Sequence, residues 1–237
     1  MDSFERTHSF GPWQEKDDTK TPESTYVWFD MKYMVKGWEN AWKSFDRKAK
    51  CRFVELGHRQ FDVEGNLVDG KFEHEQLWTN TPGLPAVRAF YGVMTGLGKT
   101  MSWEDFQTAY LGAKNKGPPL YASFPKQLVP DDVKAKFRQP VRQVLTATYG
   151  GKRSGHDFEN HANDKLKNKH NWVSMRDCGS SESSVYMRDS KSAKSPAVEG
   201  LCRYVDDSIL ASDTPDSHKV TWEEHDATFT RQGYVGS

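Results

Sequence analysis

The sequence lacks several features that would assign it to a functional class at once. Its 33 Lys and Arg residues balance its 33 Asp and Glu residues, so the basic excess of many nucleic-acid-binding proteins is absent. Its three cysteines are far apart and form no C-x-x-C pair, which argues against a disulfide framework and a zinc cluster. No apolar run approaches the ~20 residues of a membrane span, and no signal-peptide pattern is present. We expect an intracellular protein, cytoplasmic or nuclear and not secreted, with no membrane partner.

What the chain does have is length and several patterned segments. Its 237 residues suffice for one large domain or two small ones. Residues 1–24 are polar and unpatterned, which predicts a disordered lead-in. Residues 25–35 and 51–56 are rich in β-branched and aromatic residues and predict two paired strands. Residues 84–98 repeat Val87, Phe90, Met94 and Leu97 at the spacing of one helix face, so we expect a mixed α+β fold.

Further strands and a helix are predicted from residue 100 onward. Residues 100–111 predict a strand that runs into a turn near Asp105, residues 119–125 predict another strand, and residues 155–169 predict a helix. Further strands are expected at "WVSM", "SVYM" and "GLCRYV". Between them, residues 134–153 carry six Lys or Arg and no acidic residue, which predicts a basic face.

Two adjacent aspartates, Asp206 and Asp207, stand between apolar runs in "YVDDSILAS". One interpretation is a hairpin turn, where Asp is favoured because its side chain hydrogen-bonds the local backbone. The other is a site for a hard cation such as Mg²⁺, because neighbouring carboxylates repel each other unless a cation holds them together. These residues alone favour the turn, so the choice between a turn and a cation site depends on the other motifs in the chain.

Other short patterns fail on their context. "TGLGKT" at 95–100 ends like a phosphate-binding loop, but Val93 stands where the leading glycine belongs, and a predicted helix precedes it instead of a strand. His156 and His161 are five residues apart, which misses the four-residue spacing of a helical zinc pair. We expect both histidines at the surface.

"YVDDSILAS" resembles the Tyr-x-Asp-Asp hairpin of reverse transcriptases, and in particular that of the copia-type retrotransposon family. Three more blocks are similar to blocks of that family and occur in the same order. They are "KCRFVELGHRQ" at 50–60, "DFQTAYL" at 105–111 and "ATYGGKRSGHDF" at 147–158. Together the four blocks cover most of residues 25–212, so the joint resemblance is stronger than any single motif.

The resemblance implies a right-hand polymerase fold over residues 25–237, with fingers and palm subdomains only, an antiparallel palm sheet and packed helices. It implies an RNA-directed DNA polymerase that adds deoxynucleotides by two-metal phosphoryl transfer, with two Mg²⁺ ions or Mn²⁺ in their place. The partners would be an RNA or DNA template with its primer, deoxynucleoside triphosphates and the remaining domains of a polyprotein. Because residue 237 follows "LAS" closely, we expect truncation before the thumb. The alternative function is a non-catalytic nucleic-acid-binding remnant of the polyprotein.

The resemblance also assigns site residues. Asp105, Asp206 and Asp207 would be the catalytic, metal-binding carboxylates, with Phe106 adding its backbone carbonyl as a metal ligand. The residues assigned to nucleotide binding are Lys50, Arg52, Tyr110 and Arg153. The residues assigned to template and primer binding are Tyr149, Gly150, Lys152 and Tyr204.

Some of these assignments have plain alternatives. Tyr110 stands where the family has Phe, and a ring there would pack under the incoming sugar and exclude a 2′-hydroxyl; it is otherwise a core tyrosine. Lys50 and Arg52 would grip the triphosphate or belong to a solvated run of charges. Arg153 replaces the family's Gln and Gly151 replaces its Leu, which puts the grip on nucleotide and template in doubt but leaves the metal ligands untouched.

Overall fold

The computed structural model describes residues 4–5, 7–36, 48–68, 81–105, 109–180, 184–190 and 198–226. For residues 34–36, 48–50, 104–105 and 226 the description covers the backbone only. The chain divides into two compact units. Unit 1 comprises Met1–Leu77 and Lys114–Ser154, and unit 2 comprises Trp78–Ala113 and Gly155–Ser237.

Strands outnumber α-helices among the described elements. The strands are β1 (Phe10–Glu15), β2 (Thr25–Lys36), β3 (Lys48–Glu55), β4 (Thr100–Asp105), β5 (Leu120–Ser123), β6 (Pro140–Val144), β7 (Val173–Ser174), β8 (Val185–Asp189), β9 (Val198–Tyr204) and β10 (Asp207–Ser212). The helices are α1 (Leu84–Gly96), α2 (Asp131–Lys136), α3 (Ser154–His170) and α4 (Pro215–Asp226). The α+β class expected from the sequence is confirmed, as are the β2–β3 pair and the helices α1 and α3.

Unit 1 is built on a five-stranded sheet in the order β1-β6-β5-β2-β3. The β2–β5 pair is parallel, and the other pairs are antiparallel. β2 and β3 form the expected hairpin, with Phe29 opposite Glu55 at its base. An aromatic cluster fills the core, where the Phe29 and Phe53 rings stack at 4.9 Å and Phe124 stacks on Phe53 at 5.7 Å.

The N-terminal segment differs from the disordered lead-in expected for residues 1–24. Its residues Phe10–Glu15 form β1, which pairs with β6 at the edge of the unit 1 sheet. Phe4 and Phe10 are buried, and the Phe10 ring meets the Phe29 ring edge-on at 5.3 Å. Two buried phenylalanines therefore help to dock this polar segment together with the β1–β6 pairing, because each buried aromatic side chain contributes a large apolar area.

Unit 2 contains an antiparallel sheet in the order β4-β10-β9-β8-β7, covered on both faces by helices. Because side chains alternate along a strand, Leu201 and Cys202 of β9 face opposite sides. Cys202 packs with Phe90 and Met94 of α1, and Leu201 packs with Leu166 of α3 and with α4. Helix α1 comes close to the sheet at Gly200, where a Cβ atom would lie 2.6 Å from the Met94 methyl group.

The core face predicted for α1 is largely correct. Phe90 and Met94 are buried and Val87 is half-buried, but Leu97 follows the end of the helix and is 38% exposed. The rejection of "TGLGKT" as a phosphate loop is confirmed, because this stretch is the C-terminal end of α1 and leads into β4. The Lys99 side chain is buried there, with its Nζ 2.7 Å from Asp213 Oδ1.

Candidate functional site

The two aspartates lie in a tight hairpin between β9 and β10. Tyr204 pairs with Asp207, so that Val205 and Asp206 form a two-residue loop. On the other side of β10, Asp207 pairs with Asp105, the last residue of β4. Residues that pair directly across antiparallel strands share a face, with their Cβ atoms about 5 Å apart. The register therefore brings the backbones of the three predicted carboxylate residues to one end of the unit 2 sheet.

The hairpin loop carries an unusual backbone conformation. Val205 has a φ of +56°, in the left-handed region that β-branched residues rarely adopt. Two-residue hairpin loops usually place glycine or asparagine at such a position, because a side chain there costs on the order of 1–3 kcal/mol. Strained residues of this kind cluster at active sites and ligand clamps. The strain marks the loop as a candidate functional element, and it is a feature that the sequence analysis missed.

Tyr110 belongs to unit 2, as the loop does. Its ring is half-buried and stands 5.5 Å from the ring of Phe158 on α3. Burial raises the pKa of the Tyr110 hydroxyl, as do the charges of Asp206 and Tyr204, whereas Arg203 lowers it. Tyr110 is therefore within electrostatic range of Asp206. Tyr204, assigned to the primer, is 55% exposed at the end of β9.

Most of the other predicted site residues lie in unit 1. Arg52 is exposed on β3, opposite Lys32, whereas for Lys50 the structure describes only the backbone, opposite Met34. Tyr149, Gly150, Lys152 and Arg153 belong to the turn that leads into α3. Phe106 lies outside the described residues. The predicted nucleotide and template contacts are thus mainly in unit 1, and the predicted carboxylates are in unit 2.

A buried carboxyl group, not anticipated from the sequence, holds the turn that contains Tyr149 and Gly150. The backbone N–H of Glu55 donates to the Tyr149 carbonyl at 2.8 Å, and the Thr148 hydroxyl donates to the Glu55 carboxylate. Gly150 has a φ of +91°, and a Cβ atom there would overlap the Glu55 carbonyl oxygen. Burial raises the pKa of Glu55 to about 7, although the hydrogen bond from Thr148 opposes this shift. The end of β3 and this turn are therefore packed backbone against backbone.

The acid-free stretch 134–153 does not form the single basic face expected from the sequence. Arg142 turns toward β1, where its Nε donates to the Gly11 carbonyl at 2.6 Å and its Nη1 bonds the Glu5 carboxylate. Lys152 donates to the Val68 carbonyl at 3.1 Å. Each of these two cations thus has an acceptor within the protein itself.

The chemistry of the donor set fits a hard divalent cation. Three Asp residues at one sheet end can offer carboxylate oxygens, which are the ligands that Mg²⁺ and Mn²⁺ accept. Among the side chains that the structure describes, no group of three or more His, Cys, Asp or Glu forms a metal site. The Asp105 side chain is outside that set, so the case for the site comes from the backbone register.

Within the described part of the chain, no helix is both long enough and apolar enough to cross a membrane. No protein-family model matches this chain, and no curated protein matches its sequence.

Proposed function

We propose that the chain is the reverse transcriptase domain of a copia-type retrotransposon, an RNA-directed DNA polymerase with unit 1 as its fingers and unit 2 as its palm. The observation that carries the proposal is the pairing of Asp105 with Asp207 next to a strained two-residue loop that contains Asp206. A sequence motif alone would be compatible with an ordinary hairpin. Asp105 ends a third strand, β4, and is far from the hairpin in the sequence. It has no role in forming the hairpin, whereas a shared cation site needs its carboxylate.

In this proposal, Asp105, Asp206 and Asp207 would hold two divalent cations, and the resemblance adds the Phe106 carbonyl as a further ligand. The cations would lower the pKa of the primer 3′-hydroxyl and stabilise the leaving pyrophosphate. The rest of the protein contributes mainly by positioning the substrates and neutralising their charge. The sequence resemblance assigns Lys50 and Arg52 to the triphosphate, and Arg52 is exposed on β3.

The proposal is tested by primer extension on defined RNA and DNA templates with Mg²⁺ and the four deoxynucleotides. We expect the added nucleotide to follow the template base and to require the cation. Extension that ignores the template base, or no extension from a folded chain that also fails to bind primer–template, would contradict the proposal. Template–primer binding without extension would favour the non-catalytic remnant.

Replacing Tyr110 by Val should reduce the discrimination against ribonucleotides. The warrant is the half-buried Tyr110 ring, which lies within electrostatic range of Asp206 and five residues after Asp105. A rigid ring under the sugar leaves no room for a 2′-hydroxyl, and its removal should lower the deoxy-to-ribonucleotide ratio of kcat/KM by at least about tenfold, that is, by about 1.4 kcal/mol or more.

The matched control is Tyr121→Val, on β5 of unit 1, which should leave this ratio unchanged. If the ratio is the same in Tyr110→Val and in the parent while deoxynucleotide addition persists, Tyr110 is a core tyrosine and nothing more.

Replacing Lys152 and Arg153 by Ala should weaken primer–template binding and flatten its dependence on salt. Each phosphate contact that is lost reduces the slope of log K against log salt concentration by roughly one. Lys134 and Lys136 on α2 provide the control pair, because they belong to the same acid-free stretch and are exposed. Equal slopes in the parent and in the Lys152/Arg153 variant would show that these two residues do not contact phosphates.

A further inference from the structure

Arg203 is a buried cation directly below the aspartate loop. It is the second-last residue of β9, and only 4% of its surface is exposed. Its guanidinium Nη1 donates to the Val205 carbonyl at 3.4 Å, and its Cζ lies 5.4 Å from the centre of the Phe158 ring. Strand alternation places Arg203 on the same face as Leu201, where α3 and α4 pack. An apolar side chain would be the ordinary choice at such a position.

The contacts of Arg203 do not resemble those of a cation that serves stability alone. Among the residues that the structure describes, its Nε has no hydrogen-bond partner. A buried charge with incomplete hydrogen bonding costs stability, and a well-packed apolar residue of similar size is often as good or better. By contrast, the buried Arg188 in the same sheet has two carboxylate partners, with its Nε 2.8 Å from Glu199 and its Nη1 3.0 Å from Glu224. Arg203 therefore calls for an explanation other than core packing.

The hydrogen-bond acceptor of Arg203 is the carbonyl of the strained residue. That carbonyl belongs to the peptide unit that joins Val205 to Asp206, so its orientation is tied to the direction in which Asp206 leaves the backbone. Without a donor holding this carbonyl, Val205 would relieve its backbone strain by relaxing to a negative φ. A relaxation of this kind rotates the Val205–Asp206 peptide and redirects the Asp206 carboxylate.

We infer that Arg203 is a positioning residue, which pins the Val205 carbonyl and thereby holds Asp206 in the direction that the cation site needs. The effect of Arg203 on catalysis rests on the proposed function, whereas its effect on the conformation of the loop does not. Outer residues that orient metal ligands typically contribute 10- to 100-fold to metal affinity or activity, and we expect about that effect here.

The experiment is a double-variant cycle with Arg203→Met and Val205→Gly. Glycine adopts a φ of +56° without strain, so the loop no longer needs to be held in that conformation. Arg203→Met should reduce primer extension and Mn²⁺ affinity by at least about tenfold in the parent background and by much less in the Val205→Gly background. Equal losses in both backgrounds would overturn the inference. Leu201→Met, on the same face of β9, controls for changes in core packing and should not show this dependence on the Val205→Gly substitution.

A second readout does not depend on activity. Backbone chemical shifts of the labelled chain report φ at Val205, which we expect to become negative in Arg203→Met. A φ that stays positive in the folded variant would overturn the inference even if the chain polymerises. If the parent has no polymerase activity, the proposed function is refuted. If φ nevertheless turns negative in Arg203→Met, the role of Arg203 in fixing the loop is supported. If Arg203→Met does not fold, Arg203→Gln provides the same comparison.

Discussion

Replacing Asp207 by Asn should reduce templated deoxynucleotide addition by at least about a thousandfold. The substitution preserves the size of the side chain and the backbone pairing with Asp105 but removes one negative charge from the proposed cation site. Bound cations supply several kcal/mol of transition-state stabilisation in such reactions, and about 4 kcal/mol corresponds to a factor of a thousand. The measurement is the single-turnover rate of primer extension at saturating Mg²⁺.

Asp216→Asn is the matched control for this prediction. Asp216 is exposed in the first turn of α4, so its loss should leave the extension rate within about twofold of the parent, as is usual for surface substitutions. Asp105→Asn and Asp206→Asn should resemble Asp207→Asn. Near-parental rates in all three variants, with circular dichroism showing native folding, would show that the carboxylates do not take part in the reaction.

Replacing Glu55 by Gln should abolish a large pH dependence of the free energy of unfolding. The Glu55 side chain is 3% exposed, and burial raises its pKa from 4.5 to about 7. Well below pH 4.5 the carboxyl group is protonated in the folded and in the unfolded chain, so it makes no difference to stability. Between pH 4.5 and pH 7 the unfolded chain releases the proton while the folded chain keeps it, and stability falls.

The expected loss from this group between about pH 4 and pH 8 is about 3 kcal/mol, because each unit of pKa difference corresponds to about 1.36 kcal/mol. The glutamine introduced by Glu55→Gln stays neutral and can still accept a hydrogen bond from Thr148, so the variant should lack this loss. Urea denaturation at several pH values measures it, with Glu223→Gln, on α4, as the control. Parallel stability curves for Glu55→Gln and the parent would show that Glu55 is ionised in the folded chain.

The elements of this fold follow largely from local sequence patterns. The helix over Ser154–His170 and the strands around "GLCRYV" were predictable because their periodicity or β-rich composition is contained within each segment. The pairing of Asp105 with Asp207 could only be suspected, because these two residues are far apart in the chain. The order of the four sequence blocks, which resembles that of the copia-type family, predicted that they would lie together.

Other features depend on contacts that no local pattern encodes. Phe4 and Phe10 dock the N-terminal segment through rings contributed by distant strands, so its polar composition was misleading. Arg142 looked like part of a basic face, but its partners lie in and next to β1. The positive φ of Val205 had a faint signal in the sequence, since a valine occupies a two-residue turn that usually takes glycine or asparagine.

Counting bound Mn²⁺ by electron paramagnetic resonance tests whether Asp105, Asp206 and Asp207 share divalent cations, as proposed. The parent chain, saturated with primer–template and a non-hydrolysable deoxynucleotide, should bind two Mn²⁺ ions. The Asp105→Asn/Asp207→Asn double variant should bind fewer, with at least about tenfold weaker affinity at the site. Identical Mn²⁺ counts and affinities in the parent and the double variant would contradict a cation site at these carboxylates.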